Sequence, residues 1–149
     1  MTSTRIPLVV PAHALPHSTP RQLLAAARAG LDEATSRGPG MRYATAHLAA
    51  LRCAAAVLAA RALPERPGRP GSRKPATSVW VLLPQVAPEL TEWSAYFAAG
   101  ASLRAQAEAG IPRVVTDVEA DALAQAAEHF HGLVTALILS PLDEHGGAQ

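Results

Sequence analysis

Between Gly40 and Pro64 no glycine or proline interrupts the chain, and most positions hold alanine, leucine or another strong helix former. Alanine loses least on entering a helix, so this stretch predicts one long helix from about Met41 to Leu63. Leu48, Leu51, Leu58 and Ala62 form one stripe along it, widened by Tyr43, Ala54 and Val57. A helix of that length needs other elements to cover its apolar side. β-Branched residues are too sparse elsewhere to build a sheet of several strands, so the covering elements must be helices. Hydrophobic residues make up 49% of the 149-residue chain and aromatics only 4%, with alanine the largest contributor. Helices of this composition approach closely, and few large side chains lock the centre.

Proline and glycine mark the other boundaries. Thr19, Pro20 and Gln22 spell a capping box with proline at the first helical position, and Leu24, Ala27, Leu31 and Ala34 follow at helical spacing. Gly38-Pro39-Gly40 separates this helix from the next. Ser78 to Ala87 is a short apolar segment (Val79, Trp80, Leu82, Leu83) interrupted by Pro84. Its run of apolar residues could pass for a strand, but no second strand exists to pair with it, so a short helix is expected. Pro88 opens a long helix with Leu90, Trp93, Phe97 and Ala101 on one face, ending at Gly110 and Pro112. Its Ala98-Ala99-Gly100-Ala101 run would let another helix come close. Thr116 and Glu119 form a second capping box for a last helix from Asp117, with Ala122, Ala126, Phe130, Leu133 and Leu137 on its apolar face. The expected fold is all-α: a four-helix bundle with one additional short helix, over residues 19–140. Residues 1–18 are expected to form a proline-rich arm, 64–77 a long basic loop, and 141–149 a polar, disordered tail.

Several function classes are disfavoured. A formal net charge of +1 gives no global field to draw in a polyanion. All basic residues but Lys74 are arginine, a bias that a GC-rich genome explains as well as phosphate recognition does. Cys53 is the only cysteine, so no intrachain disulfide can form, and its apolar helix predicts an inert thiol. Ile6 to Val10 is broken by Pro7 and Pro11, unlike a signal peptide, and His47 and Arg52 interrupt the Ala44–Ala60 run, unlike a membrane span. A cytoplasmic protein without membrane contact is expected. No metal and no cofactor are expected either. His129 and His131 point to different sides of their helix, His13 and His17 sit among prolines, and neither zinc spacing nor a phosphate loop occurs.

Two blocks carry a family resemblance: Arg42-Tyr43-Ala44-Thr45-Ala46-His47-Leu48-Ala49-Ala50-Leu51-Arg52 with its alanine-rich continuation to Ala62, and Val86-Ala87-Pro88-Glu89-Leu90-Thr91-Glu92-Trp93 with Phe97-Ala98-Ala99-Gly100. In their order and in the loop between them, they resemble the HEPN superfamily, most closely an actinobacterial subfamily of short stand-alone HEPN-domain proteins. The likeness runs from about Pro20 to Leu139. It implies a bundle of four to five helices that often forms a homodimer. It also implies one of three roles: a metal-independent ribonuclease of the toxin–antitoxin kind, a nucleotide-binding partner of a nucleotidyltransferase, or a module with no activity.

Active HEPN ribonucleases carry an arginine, four to six residues, and a histidine. Arg42 and His47 fit that spacing. A histidine can move a proton near neutrality and an arginine can hold the scissile phosphate, with the RNA 2′-hydroxyl as nucleophile. Two features weigh against this reading. Tyr43 stands where active members carry a polar residue after the arginine. In addition, His47 falls within the apolar arc of its helix, about 140° around from Arg42 at 100° per residue. The only dense basic cluster, Arg66, Arg69, Arg73 and Lys74, could grip nucleic-acid phosphates without reading sequence, or could simply be a solvated loop. Arg52 and Arg61 are further candidates to contact a bound nucleotide. The sequence therefore favours a non-catalytic HEPN-type dimerisation or adaptor module in a nucleic-acid process, with an unidentified protein partner. A metal-independent ribonuclease and a nucleotide-binding domain remain as alternatives.

Overall fold

The computed structural model describes residues 18–61 and 78–139. Among them the chain is mostly helical and carries no strand: α1 (Pro20–Ala34), α2 (Pro39–Arg61), α3 (Val79–Val86), a 3₁₀ turn (Pro88–Leu90), α4 (Thr91–Ala99), α5 (Ala101–Glu108) and α6 (Asp117–Leu139). The expected arm, the basic loop and the tail lie outside the described residues.

Both capping boxes form. Gln22 donates its backbone N–H to Thr19 Oγ1 at 3.0 Å and its Oε1 accepts from the Thr19 N–H at 2.8 Å. Thr116 and Glu119 repeat the exchange at 3.0 and 2.9 Å. Helix α2 begins at Pro39, earlier than expected, because proline's missing N–H is no loss at a first helical position and the Gly38 carbonyl accepts from Arg42 N–H at 2.7 Å. At the end of α5, Gly110 adopts φ 81° and the Ile111 N–H reaches back to Gln106 O at 3.2 Å, which closes the helix.

Helix α2 is the central strut, covered by α1, α6, α5 and α3. By length and composition it could cross a membrane, but most of its apolar surface is buried inside the bundle. Its buried residues are Tyr43, Ala44, Ala46, His47, Ala49, Ala50, Cys53, Ala54, Ala56 and Val57. The expected leucine stripe is only half-buried at Leu48, Leu51 and Leu58, because alanines occupy the closest approaches and leucines fill the flanks. Helix α1 buries Leu24, Ala27, Leu31 and Ala34 as the spacing predicts.

The apolar face of α6 differs from expectation. The buried set is Ala120, Leu123, Ala127, Phe130 and Val134, whereas Ala122 and Leu133 are exposed. Two apolar stripes cross at Phe130, and the helix is turned by about one residue, or 100°, from the one read in sequence.

The short segment at 79–86 is a helix capped by Ser78, with Pro84 inside it. Proline cannot donate to the carbonyl four residues back, which leaves Trp80 O without its helical partner. The Ser94 hydroxyl of α4 donates to that oxygen, and Ser94 is buried for this reason.

The long helix expected from Pro88 is divided at Gly100. A Cβ at Gly100 would overlap the Tyr43 hydroxyl, and His47 Cδ2 would lie 3.5 Å away. Side chains of α2 thus press into the helix where it has no side chain of its own. Gly100 has ordinary helical φ, so alanine there is tolerated by the backbone and excluded only by Tyr43. Gly100→Ala should therefore destabilise the protein by about 1–3 kcal/mol, and in a Tyr43→Phe background most of that loss should vanish. Chemical denaturation of the four members of the cycle tests this.

Candidate functional site

His47 comes from the middle of α2 and has no solvent exposure. Its ring is boxed by aromatics: Tyr43 stacks at 6.3 Å, while Trp80 and Phe97 meet it edge-on at 5.9 and 6.0 Å between centroids. Nε2 lies 2.8 Å from the Phe97 carbonyl oxygen. A carbonyl only accepts, so Nε2 carries the proton and donates. Nδ1 is left as a lone pair, buried and without a hydrogen-bond partner. Burial is the main cause that pushes the His47 pKa below its ordinary value of 6.5. The Phe97 carbonyl partly opposes this, Arg104 on α5 adds to it, and Glu108 opposes it. A second proton would sit on Nδ1, facing no acceptor in an apolar box.

Arg42, one turn earlier on α2, faces elsewhere. Its Nη1 reaches Asp121 Oδ1 at 2.9 Å and Asp117 Oδ1 at 3.4 Å, and Nη2 donates to Arg37 O at 3.0 Å. Its side chain is 19% exposed, so the guanidinium is held by three oxygens of neighbouring elements. Arg42 and His47 are thus not brought together as a pair: one faces α6 and the other the α4–α5 break. Asp117 and Asp121, in the first turns of α6 where the helix dipole favours acids, thus also fix Arg42. Arg66, Arg69, Arg73 and Lys74 lie outside the described residues.

Among the described residues, two surface grooves stand out, and His47 lines neither. One of about 490 Å³ between α1 and α6 has Leu31 and Ala124 in its lining, with Arg42, Asp117, Asp121 and Glu128. The other, about 360 Å³, lies between α4 and α6 and is lined by Glu92, Trp93, Tyr96 and Ala126. The sequence places Trp93 on the same helical face as Phe97. Trp80 and Phe97 are buried as expected, but Trp93 is half-buried and shows part of its ring to this groove. Arg61 ends α2 in a pair with Glu89 at 2.8 Å and donates to Val86 O at 3.2 Å. Cys53 is fully buried, which pushes its thiol up to about 12, far from a reactive thiolate. His131 contacts Leu24 O at 3.0 Å and His129 meets Trp93 edge-on, so the two histidines do point apart. Among the described residues, no three His, Cys, Asp or Glu side chains gather as a metal would need.

The depressed His47 pKa sets a pH dependence. The unfolded chain takes up a proton near pH 6.5, whereas the folded chain resists it. The stabilisation is therefore complete above pH 6.5, declines as pH falls below it, and levels off below the folded pKa. One proton contributes at most about 1.4 kcal/mol per pH unit. His47→Gln keeps a donor for Phe97 O but cannot titrate, so its stability between pH 7 and 5 should change less than the parent's in denaturant titrations. Equal slopes would show that His47 is not the group responsible.

No curated protein and no solved structure matches the chain significantly. The family model described as SAV_6107-like HEPN matches residues 23–135, from the first turn of α1 to about one turn short of the end of α6. That span exceeds half of the chain, and the helical order and the His47-centred core lie within it. The chain belongs to the SAV_6107-like HEPN family.

Proposed function

We propose that this chain is a non-catalytic HEPN-type dimerisation and adaptor module serving a nucleic-acid process. Family membership supplies the coarser part, a nucleic-acid-related HEPN module. The observation that carries the finer part is the state of His47: fully buried, neutral, and donating to a backbone carbonyl. A general base must reach the proton it removes, and a ring closed in by Tyr43, Trp80 and Phe97 cannot meet a 2′-hydroxyl. Arg42 is likewise held by Asp117 and Asp121, which offset the charge that a scissile phosphate would need. The nucleotide-binding alternative draws little support from Arg61, whose guanidinium is engaged by Glu89 and Val86 O.

A docking role is supported by the outer face of α6. Turned as it is, the helix leaves Val118, Ala122 and Leu133 exposed, Val118 by 78%. An uncharged strip along a long helix suits packing against the same strip of a second copy around a two-fold axis.

Two measurements test this reading. Incubated with mixed RNA in chelator, the parent protein should leave the RNA intact, as should the Arg42→Ala and His47→Ala variants. Cleavage by the parent that both variants lose would instead establish the metal-independent ribonuclease. In sedimentation velocity at micromolar concentration the parent should run as a dimer, and Val118→Arg with Leu133→Glu should reduce it to a monomer. A parent that is already monomeric removes the dimerisation claim.

A further inference from the structure

The outer side of α4 carries a carboxylate and two rings that the bundle core does not need there. Glu92 and Tyr96 are four residues apart, so they share a face of the helix, and both are exposed. Between them Trp93 shows part of its ring to the groove of about 360 Å³ that Ala126 of α6 also lines. The indole is held from behind: it stacks on Phe97 at 6.2 Å, tilts against Phe130 at 5.4 Å and meets His129 edge-on at 5.2 Å. Tyr96, 45% exposed, is braced edge-on by Phe97 at 5.0 Å. Both rings are thus set in place before any ligand arrives, which removes much of the ordering cost of binding.

Charge decides what such a groove can take. Glu89, about one turn before Glu92, is already paired with Arg61 at 2.8 Å. Glu92 itself has no ion pair among the described residues, and among them no lysine or arginine lines the groove. A phosphate would meet a carboxylate and the negative faces of two rings. A cation is attracted by all three. Among cations, a guanidinium does what an ammonium cannot: it lies flat on an indole while its N–H edge forks onto a carboxylate. Four lining residues on two helices make a shallow groove, which suits a side chain projecting from another protein better than an enclosed small molecule.

We propose that the Glu92–Trp93–Tyr96 groove receives an arginine side chain of a protein partner, its guanidinium flat on the indole, flanked by Tyr96 and forked onto Glu92. Arginine docking rests on the adaptor reading and names the partner's chemistry, a basic protein segment. Peptide binding is read independently of RNA cleavage and of sedimentation, so either reading can fail without the other.

The test uses the full chain and its two indole N–H signals in a ¹H–¹⁵N spectrum, with the buried Trp80 as internal reference. The probes are blocked glycine–arginine–glycine peptide and its lysine and citrulline versions, the last matching arginine in shape without its charge. The arginine peptide should move the Trp93 signal saturably and leave Trp80 in place, with the lysine peptide weaker and the citrulline peptide without effect. Glu92→Gln and Tyr96→Ala alter exposed side chains, and each should weaken arginine-peptide binding about fivefold with the Trp80 signal unchanged. The proposal is overturned by a stationary Trp93, by citrulline acting as well as arginine, or by unchanged binding in Glu92→Gln. Movement with an RNA oligonucleotide in place of the peptide would reject a protein partner. A Trp93 signal that shifts on dilution of the parent alone would assign the groove to a second copy and reject it too.

Discussion

The hydrogen bond from His47 Nε2 to the Phe97 carbonyl is the contact around which this bundle is arranged. It joins the middle of α2 to the end of α4, and it requires the long helix after Pro88 to break where His47 and Tyr43 press in. Gly100 is the position that allows it, since any side chain there would meet the Tyr43 hydroxyl. Trp80 and Phe97 then close over the ring, and Phe130 and Trp93 continue the aromatic cluster toward α6. In a chain with so few aromatics, gathering them at one point supplies the large, well-shaped contacts that alanine cannot. A neutral histidine is tolerable there because one nitrogen is satisfied, whereas a charged one would face an apolar wall.

Around that centre, alanine and surface arginine divide the remaining tasks. Ala27, Ala46, Ala49, Ala50 and Ala127 are fully buried and let α1, α2 and α6 lie close together. Arg28 reaches Glu128 with both terminal nitrogens, at 2.9 and 2.7 Å, and ties α1 to α6. Arg42 does the same between α2 and α6. These exposed or partly exposed pairs each contribute no more than about 1 kcal/mol, so they set register more than stability. The polar cost of Pro84 is met locally by Ser94, which lets a proline-interrupted helix sit in the core beside Trp80.

Much of this was legible in the sequence. Proline, glycine and the two capping boxes placed the helix boundaries to within a few residues, because each acts through its own backbone chemistry. The apolar arc of α2 also placed His47 inside. What sequence could not decide was rotation. On α6 the series Ala122–Ala126–Phe130 and Ala120–Leu123–Ala127–Phe130 are both apolar, and only packing against α2 selects the second. The break at Gly100 was equally hidden, because glycine within an alanine run signals close approach but not the side chain that approaches. Pro84 did leave a readable trace: a proline inside a helix orphans a carbonyl, and a nearby serine such as Ser94 is a natural donor. The pairing of Arg42 with Asp117 and Asp121 left none, because acids at a helix start already have a local explanation.

His47 is, on these grounds, a sealed and neutral structural residue. Nitrogen-15 spectroscopy of its imidazole across a pH series tests it most directly. A single Nε2–H tautomer should keep its neutral shifts as pH falls through 6.5, because burial holds the His47 pKa below that value. A ring that titrates near 6.5 in the folded protein, with an N–H that exchanges freely with water, would contradict it and reopen the site to catalysis.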